Sequence, residues 1–263
     1  MKPPPAYANA VCCARDLIAE LQIQDPAEIV VEKIAAFKGA PVRYANLSGC
    51  DGRMVRSNGT AIITVRESVD RIGQRRFIIA HELGHVLLHP NIRQIDQVDI
   101  RQTQNFNLRQ EPEELEANYF AAELLMPRSF FASDTKNTEP SWDSIRTLAD
   151  KYQTTNSSTA IQYINTTKEA VFLVASEAGE RSWFAISESA RDFFLTDTTR
   201  VHRYTCAYEL LTEGKTHSRS EQIPAGAWLN RFDPNGKEYV VEDSMRANGS
   251  NFVLSLLWIR DDL

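Results

Sequence analysis

The chain has 263 residues, 43% of them hydrophobic and 24% charged, with a formal net charge of −6. That length suits about two domains with real cores, and the acidic balance argues against a general polyanion binder, because duplex affinity rests on neutralising phosphates. No run approaches the ~18 apolar residues of a membrane span, Met1-Lys2-Pro3-Pro4-Pro5 lacks the apolar stretch of a secretion signal, and Cys12, Cys13, Cys50 and Cys206 form no CxxC pair, so a cytoplasmic protein without disulfides or a cysteine zinc site is expected.

The proline-rich start predicts disorder to about residue 8, followed by a first helix over Arg15–Leu21. Asp25-Pro26 opens a second helix, with Asp25 as N-cap, Ile29, Val30, Ile34 and Phe37 on its apolar face and Gly39 at its end. Val42–Ala45 reads as a short strand, Gly49–Gly59 as turn, and the β-branched run Ala61–Val65 as a strand. Arg75–Leu88 has helical spacing up to Pro90, Ile92–Leu108 reads as a loop or lid, and Glu111–Met126 as a helix stopped by Pro127. Ser133–Ser141 marks a boundary, after which Trp142–Asp150 and Ser157–Ile164 form short helices around a polar turn. Ala170–Ala175 and Trp183–Ile186 suit a hairpin around Gly179, and Glu238–Glu242 and Phe252–Trp258 are further strands. The fold class is therefore α+β, with helices and a small sheet over 1–132, a short helical bundle over 133–168 and a C-terminal α+β domain over 169–263.

The chemistry concentrates in His81-Glu82-Leu83-Gly84-His85. Histidines four apart lie on one helix face, about 6 Å apart along the axis, and can converge on one Zn²⁺. Zinc lowers the pKa of a bound water towards ~7, and the glutamate beside it can take that water's proton. Catalytic zinc takes a third protein ligand. The candidates are Glu114, Glu116 and Glu113 in the helix beginning at Glu111. With Ala117, Phe120, Ala121 and Leu124 setting the apolar face, Glu114 and Glu113 lie roughly 50° from its centre and Glu116 about 100° away. Glu114 is preferred, because Asn118 follows one turn later and can hydrogen-bond a metal-binding histidine. His89 is better placed as a partner of a ligand, or at the helix end, than as a ligand itself.

The runs Arg76-Phe77-Ile78-Ile79-Ala80-His81-Glu82-Leu83-Gly84-His85-Val86-Leu87-Leu88-His89 and Glu114-Leu115-Glu116-Ala117-Asn118-Tyr119-Phe120-Ala121-Ala122-Glu123-Leu124-Leu125-Met126-Pro127 resemble the ImmA/IrrE family of zinc metallopeptidases. The resemblance spans residues 10 to 130. It implies a zincin-like protease domain with the gluzincin ligand pattern: His81, His85 and Glu114 on the metal, and Glu82 as catalytic base. Members of the family cut helix-turn-helix repressors of the XRE type, which induces mobile-element or stress genes. One branch carries a helix-turn-helix-like segment and a GAF-like sensor domain after the protease, a layout similar to 133–168 and 169–263 here.

The expected activity is thus a zinc endopeptidase acting on a partner protein, with Mn²⁺ or Fe²⁺ as substitutes in the cell. The alternative is a non-catalytic zinc-containing binding or sensor module working through protein–protein contacts, and a third reading is an enzyme idle until its C-terminal domain binds a small molecule. Direct nucleic-acid binding is not expected: Asp143, Arg146, Asp150 and Lys151 in the middle segment sum to zero charge. His202 and His217 read as surface residues, and Trp183, Trp228, Trp258, Phe193 and Phe194 as core aromatics. The Ala61–Val65 strand is a candidate to take extended substrate by strand addition.

Overall fold

The computed structural model describes residues 7–57, 59–91, 94–96, 111–213, 215–217, 219–230, 239–247 and 252–260. They fall into two compact units, residues 2–133 with 148–159 and residues 134–147 with 160–263. The segment 133–168 is divided between them, the helix Trp142–Tyr152 being shared.

In the first unit, α1 (Ala8–Glu20) buries Ala10, Val11, Ala14, Leu17 and Ile18 on one stripe. It begins well before Arg15, because alanines and cysteines make the first half of that stripe inconspicuous in the sequence. The single helix expected from Asp25 is broken. Asp25 and Glu28 form a capping box around a 3₁₀ turn, Pro26–Glu28. The chain then turns extended at Val30, and α2 runs only over Val31–Phe37. The physical reason is long-range: the buried Arg76 donates from Nη1 to the Ile29 carbonyl at 2.8 Å, taking an acceptor that a continuous helix would use.

The sheet contains β1 (Val42–Ala45), β2 (Gly52–Ser57), β3 (Thr60–Arg66) and β4 (Gln94–Asp96), in the order β1-β3-β2-β4. β1 runs parallel to β3, and β2 is antiparallel to both β3 and β4. Two expectations change here. Residues 52–57, read as turn, form a strand, and β4 lies in the stretch read as a loop, whose other residues from 97 to 108 lie outside the described residues. β3 is flanked on both sides, so its backbone groups are already paired and it has no edge for an added substrate strand.

Met54, Ile63 and Val65 of the sheet are fully buried, as are Ile78, Ile79 and Leu83 of α3 (Ile72–Leu88). α4 (Pro112–Leu125) lies along α3, burying Ala117, Phe120, Ala121 and Leu124. The approach is close at Gly84, where a Cβ would sit 3.1 Å from the Ala117 Cα and from the Phe120 ring. Glu123 ties the far end of α4 to two neighbours. It accepts from Arg15 Nε of α1 at 2.8 Å and from the backbone N–H of Arg128, which opens α5 (Arg128–Asp134), at 3.3 Å.

In the second unit, β5 (Ala170–Glu177), β6 (Glu180–Ile186), β7 (Glu221–Pro224), β8 (Tyr239–Arg246) and β9 (Phe252–Ile259) form an antiparallel sheet in the order β6-β5-β9-β8-β7. A helix over Cys206–Glu213 and strand β7 were not anticipated. The core gathers Phe172, Val174, Leu210, Trp228, Val240 and Leu257. At its centre the buried Glu242 accepts from Ala207 N, Trp228 Nε1 and Ser244 Oγ at 2.7–2.9 Å, so this carboxylate lies in a saturated set of donors. The described parts of the chain contain no helix long and apolar enough to cross a membrane.

Candidate metal centre

α3 carries His81, Glu82 and His85, all fully buried. The histidines are held in this apolar helix by polar partners. His81 Nδ1 is 2.9 Å from the side-chain carbonyl of Asn118 on α4. An amide oxygen only accepts, so Nδ1 carries the proton and Nε2 is left with its lone pair. That Nε2 lies 3.0 Å from Nε2 of His85, and the two face the carboxylate of Glu114 at 3.1 Å and 3.3 Å.

Two imidazole nitrogens and a carboxylate, all electron-rich, thus converge at contact distance. The ligating atoms of His81, His85 and Glu114 lie within 4.8 Å of one another. Such a convergence is repulsive unless a cation stands among the atoms, and the donor set, two nitrogens and one carboxylate oxygen, suits zinc with a position left over. The fit is therefore good on the chemistry of the donors alone.

The electrostatics agree. Burial pushes the His85 imidazole down from 6.5 to about 4, with the charges of His81 and His89 adding to the depression and Glu114 opposing it. Burial also pushes the Glu114 carboxyl up, but hydrogen bonding and attraction from His81 and His85 outweigh it and hold the acid well below the usual carboxylate range. Hydrogen-bond donors beside a carboxylate favour its charged form, whereas burial favours the neutral form of His85.

A pH dependence follows for the chelator-treated protein. Unfolded, His85 takes its proton near pH 6.5; folded, only near 4. Between those values the unfolded state binds more protons, so stability falls as pH falls through that window. Glu114 adds stability that is present above its ordinary value of 4.5 and is lost as pH drops further. The urea midpoint is expected to be lower at about pH 5 than at about pH 7; a midpoint unchanged between them contradicts the assignment.

The three candidate glutamates occupy different surroundings. Glu114 meets both histidines, Glu116 reaches His89 Nε2 at 2.8 Å, and Glu113 lies on the exposed side of α4. His89 does not join the converging set; its Nδ1 lies 3.0 Å from Nδ1 of His85. His202 is exposed, and His217 sits in the second unit near Arg146.

Two residues of β2 that the turn reading had concealed also shape the centre. A Cβ on Gly52 would lie 2.4 Å from Ile78 Cγ2 and 2.9 Å from Glu82 Oε1, so the strand backbone can pass the Glu82 carboxylate only as glycine. Four residues on, Arg56 donates to the carbonyls of Val86, at 2.7 Å, and Pro90, satisfying the end of α3. The signal that was available is alternation: Gly52, Met54 and Arg56 share one face of the strand. Gly52→Ala is expected to cost about 1–3 kcal/mol by overpacking and to displace Glu82. Urea denaturation checks this, and a neutral substitution contradicts the close approach.

The family model described as the IrrE N-terminal-like domain, of the M78 peptidases, matches residues 28–162. Among solved structures, a Mycobacterium tuberculosis transcriptional regulator is similar over 95% of this chain and 76% of its own, with a TM-score of 0.62 and 16% identity, a likeness of fold. A comparison with curated proteins finds no match.

Proposed function

This chain belongs to the IrrE N-terminal-like domain family, and from that premise we propose that it is a zinc-dependent endopeptidase that cuts a helix-turn-helix repressor of the XRE type, releasing stress or mobile-element genes. The observation that carries the reading is the convergence of His81, His85 and Glu114 beside a buried Glu82. A purely structural metal site has no use for a carboxylate base adjoining its histidines.

His81, His85 and Glu114 would hold the cation, whose chemistry is Lewis acidity: it acidifies water and polarises a peptide carbonyl. Asn118 orients His81. Glu82, kept in place by the passage of β2 at Gly52, takes the proton from the attacking water and returns it to the leaving amine. The acidic chain suits a substrate recognised by shape and a few contacts. A role in gene control agrees with the structural neighbour, which is a transcriptional regulator. Repressors act in the cytoplasm of the cells that carry them, and the reaction is proposed to run there. The domain division at 132 and 168, with a GAF-like sensor at the C-terminus, belongs to the same proposal.

The test is to incubate the full chain, loaded with Zn²⁺, with the XRE-type repressor encoded nearest to its gene and to read the products by intact-mass spectrometry. One internal cut, abolished by chelator and restored by Zn²⁺, is expected. A repressor that is bound but stays whole overturns the peptidase reading in favour of a non-catalytic binding module.

A further inference from the structure

His89 and Glu116 have no role in the reaction so far described, yet both are drawn into the centre. His89 caps the C-terminus of α3, with a side chain only 9% exposed. Its Nδ1 faces Nδ1 of His85 at 3.0 Å, and its Nε2 faces Oε2 of Glu116 at 2.8 Å. The rings of His85 and His89 lie 5.1 Å apart between centroids.

One arrangement of neutral imidazoles satisfies every one of these contacts. The Glu116 carboxylate can only accept, so His89 Nε2 must carry the proton it donates. His89 Nδ1 then has a lone pair and must accept, and the donor facing it is Nδ1–H of His85. With its proton there, His85 turns a bare Nε2 towards Glu114 and His81. Reversing the chain would set two electron-rich atoms against each other at Glu116 and put a proton on the nitrogen needed for ligation.

We propose that Glu116 and His89 form a two-link hydrogen-bonded chain that positions His85, fixing the ring orientation and the nitrogen it offers to a cation. This rests on the metal reading given above. His81 is served differently, by the direct contact with Asn118. Both devices end on α4, at Glu116 and Asn118, and the proposed third ligand, Glu114, lies on the same helix. Glu114 and Asn118 share a face of that helix, whereas Glu116 points elsewhere and reaches His85 only because His89 bridges the gap beyond the end of α3. Lost partners of metal-binding histidines typically weaken metal affinity about 10–100-fold.

The experiment measures Zn²⁺ affinity of the full chain by competition with a chromophoric chelator. His89→Phe keeps a ring but removes the acceptor, and Glu116→Ala removes the end of the chain at a partly exposed position where folding is not at stake. Both are expected to bind about 10–100-fold more weakly. Glu116→Gln keeps a carbonyl that can accept from His89 and should stay within a few-fold of wild type. ¹⁵N spectra of the metal-free chain supply a readout that a packing role would not move: the His85 proton resides on Nδ1 in wild type and is shared between both nitrogens in Glu116→Ala. Wild-type affinity in both disruptive variants, or Glu116→Gln as weak as Glu116→Ala, overturns the proposal. If the wild-type chain takes up no Zn²⁺, the metal reading fails and this inference falls with it; a wild type that binds beside a His89→Phe that binds equally well sinks the positioning chain alone.

Discussion

Glu82→Gln is expected to retain Zn²⁺ within a few-fold of wild type and to lose hydrolysis by about 10²–10⁴, the range that a positioned general base contributes. The amide has the volume of the carboxylate, so it fits the space that Gly52 leaves, where even one added carbon would lie 2.9 Å from Glu82 Oε1. The substitution lies outside the group of His81, His85 and Glu114 that could hold the ion. Glu82 is fully buried, and burying a neutral amide costs less than burying a charge. Thermal stability should therefore be equal or higher, which separates lost chemistry from lost fold. Cleavage of the proposed repressor substrate at the wild-type rate by a folded, metal-loaded Glu82→Gln protein removes Glu82 from the proposed mechanism.

Glu114→Ala is expected to weaken Zn²⁺ binding by more than about 100-fold, beyond the cost of losing a partner that only orients a ligand. Glu114 closes the set at 3.1 Å and 3.3 Å from the two imidazole nitrogens, and no other glutamate of α4 meets that pair among the described residues. Glu113→Ala, on the exposed side of the same helix, should leave affinity unchanged. The contrast between neighbouring residues is the check, read by competition titration. Equal loss at both positions would point to helix destabilisation, and loss at Glu113 alone would move the third ligand.

The parts of this centre that were legible in the sequence are those set by local spacing. Histidines four apart on a helix must share a face, and Asn118 four after Glu114 must share another. The choice among Glu113, Glu114 and Glu116 was a preference only, since it depends on how α4 is rotated against α3, which Gly84 and Ala117 decide by close packing. What stayed hidden was set at long range. β2 has only Met54 and Val55 as apolar residues between turn-formers, and its pairing with β3 and β4 is what makes it a strand. The break before α2 comes from Arg76, far along the chain, capturing the Ile29 carbonyl. Strand Ala61–Val65 gave no sign that partners would occupy both its edges. The bridging role of His89 was likewise invisible, because it joins a helix end to a residue on the next helix.

Anomalous diffraction at the zinc absorption edge, from crystals of the full chain grown with Zn²⁺, shows where the ion sits and which residues hold it. A single strong peak is expected about 2.0–2.2 Å from His81 Nε2, His85 Nε2 and a carboxylate oxygen of Glu114. A peak held by other residues, or none between these three, contradicts a metal centre built from His81, His85 and Glu114.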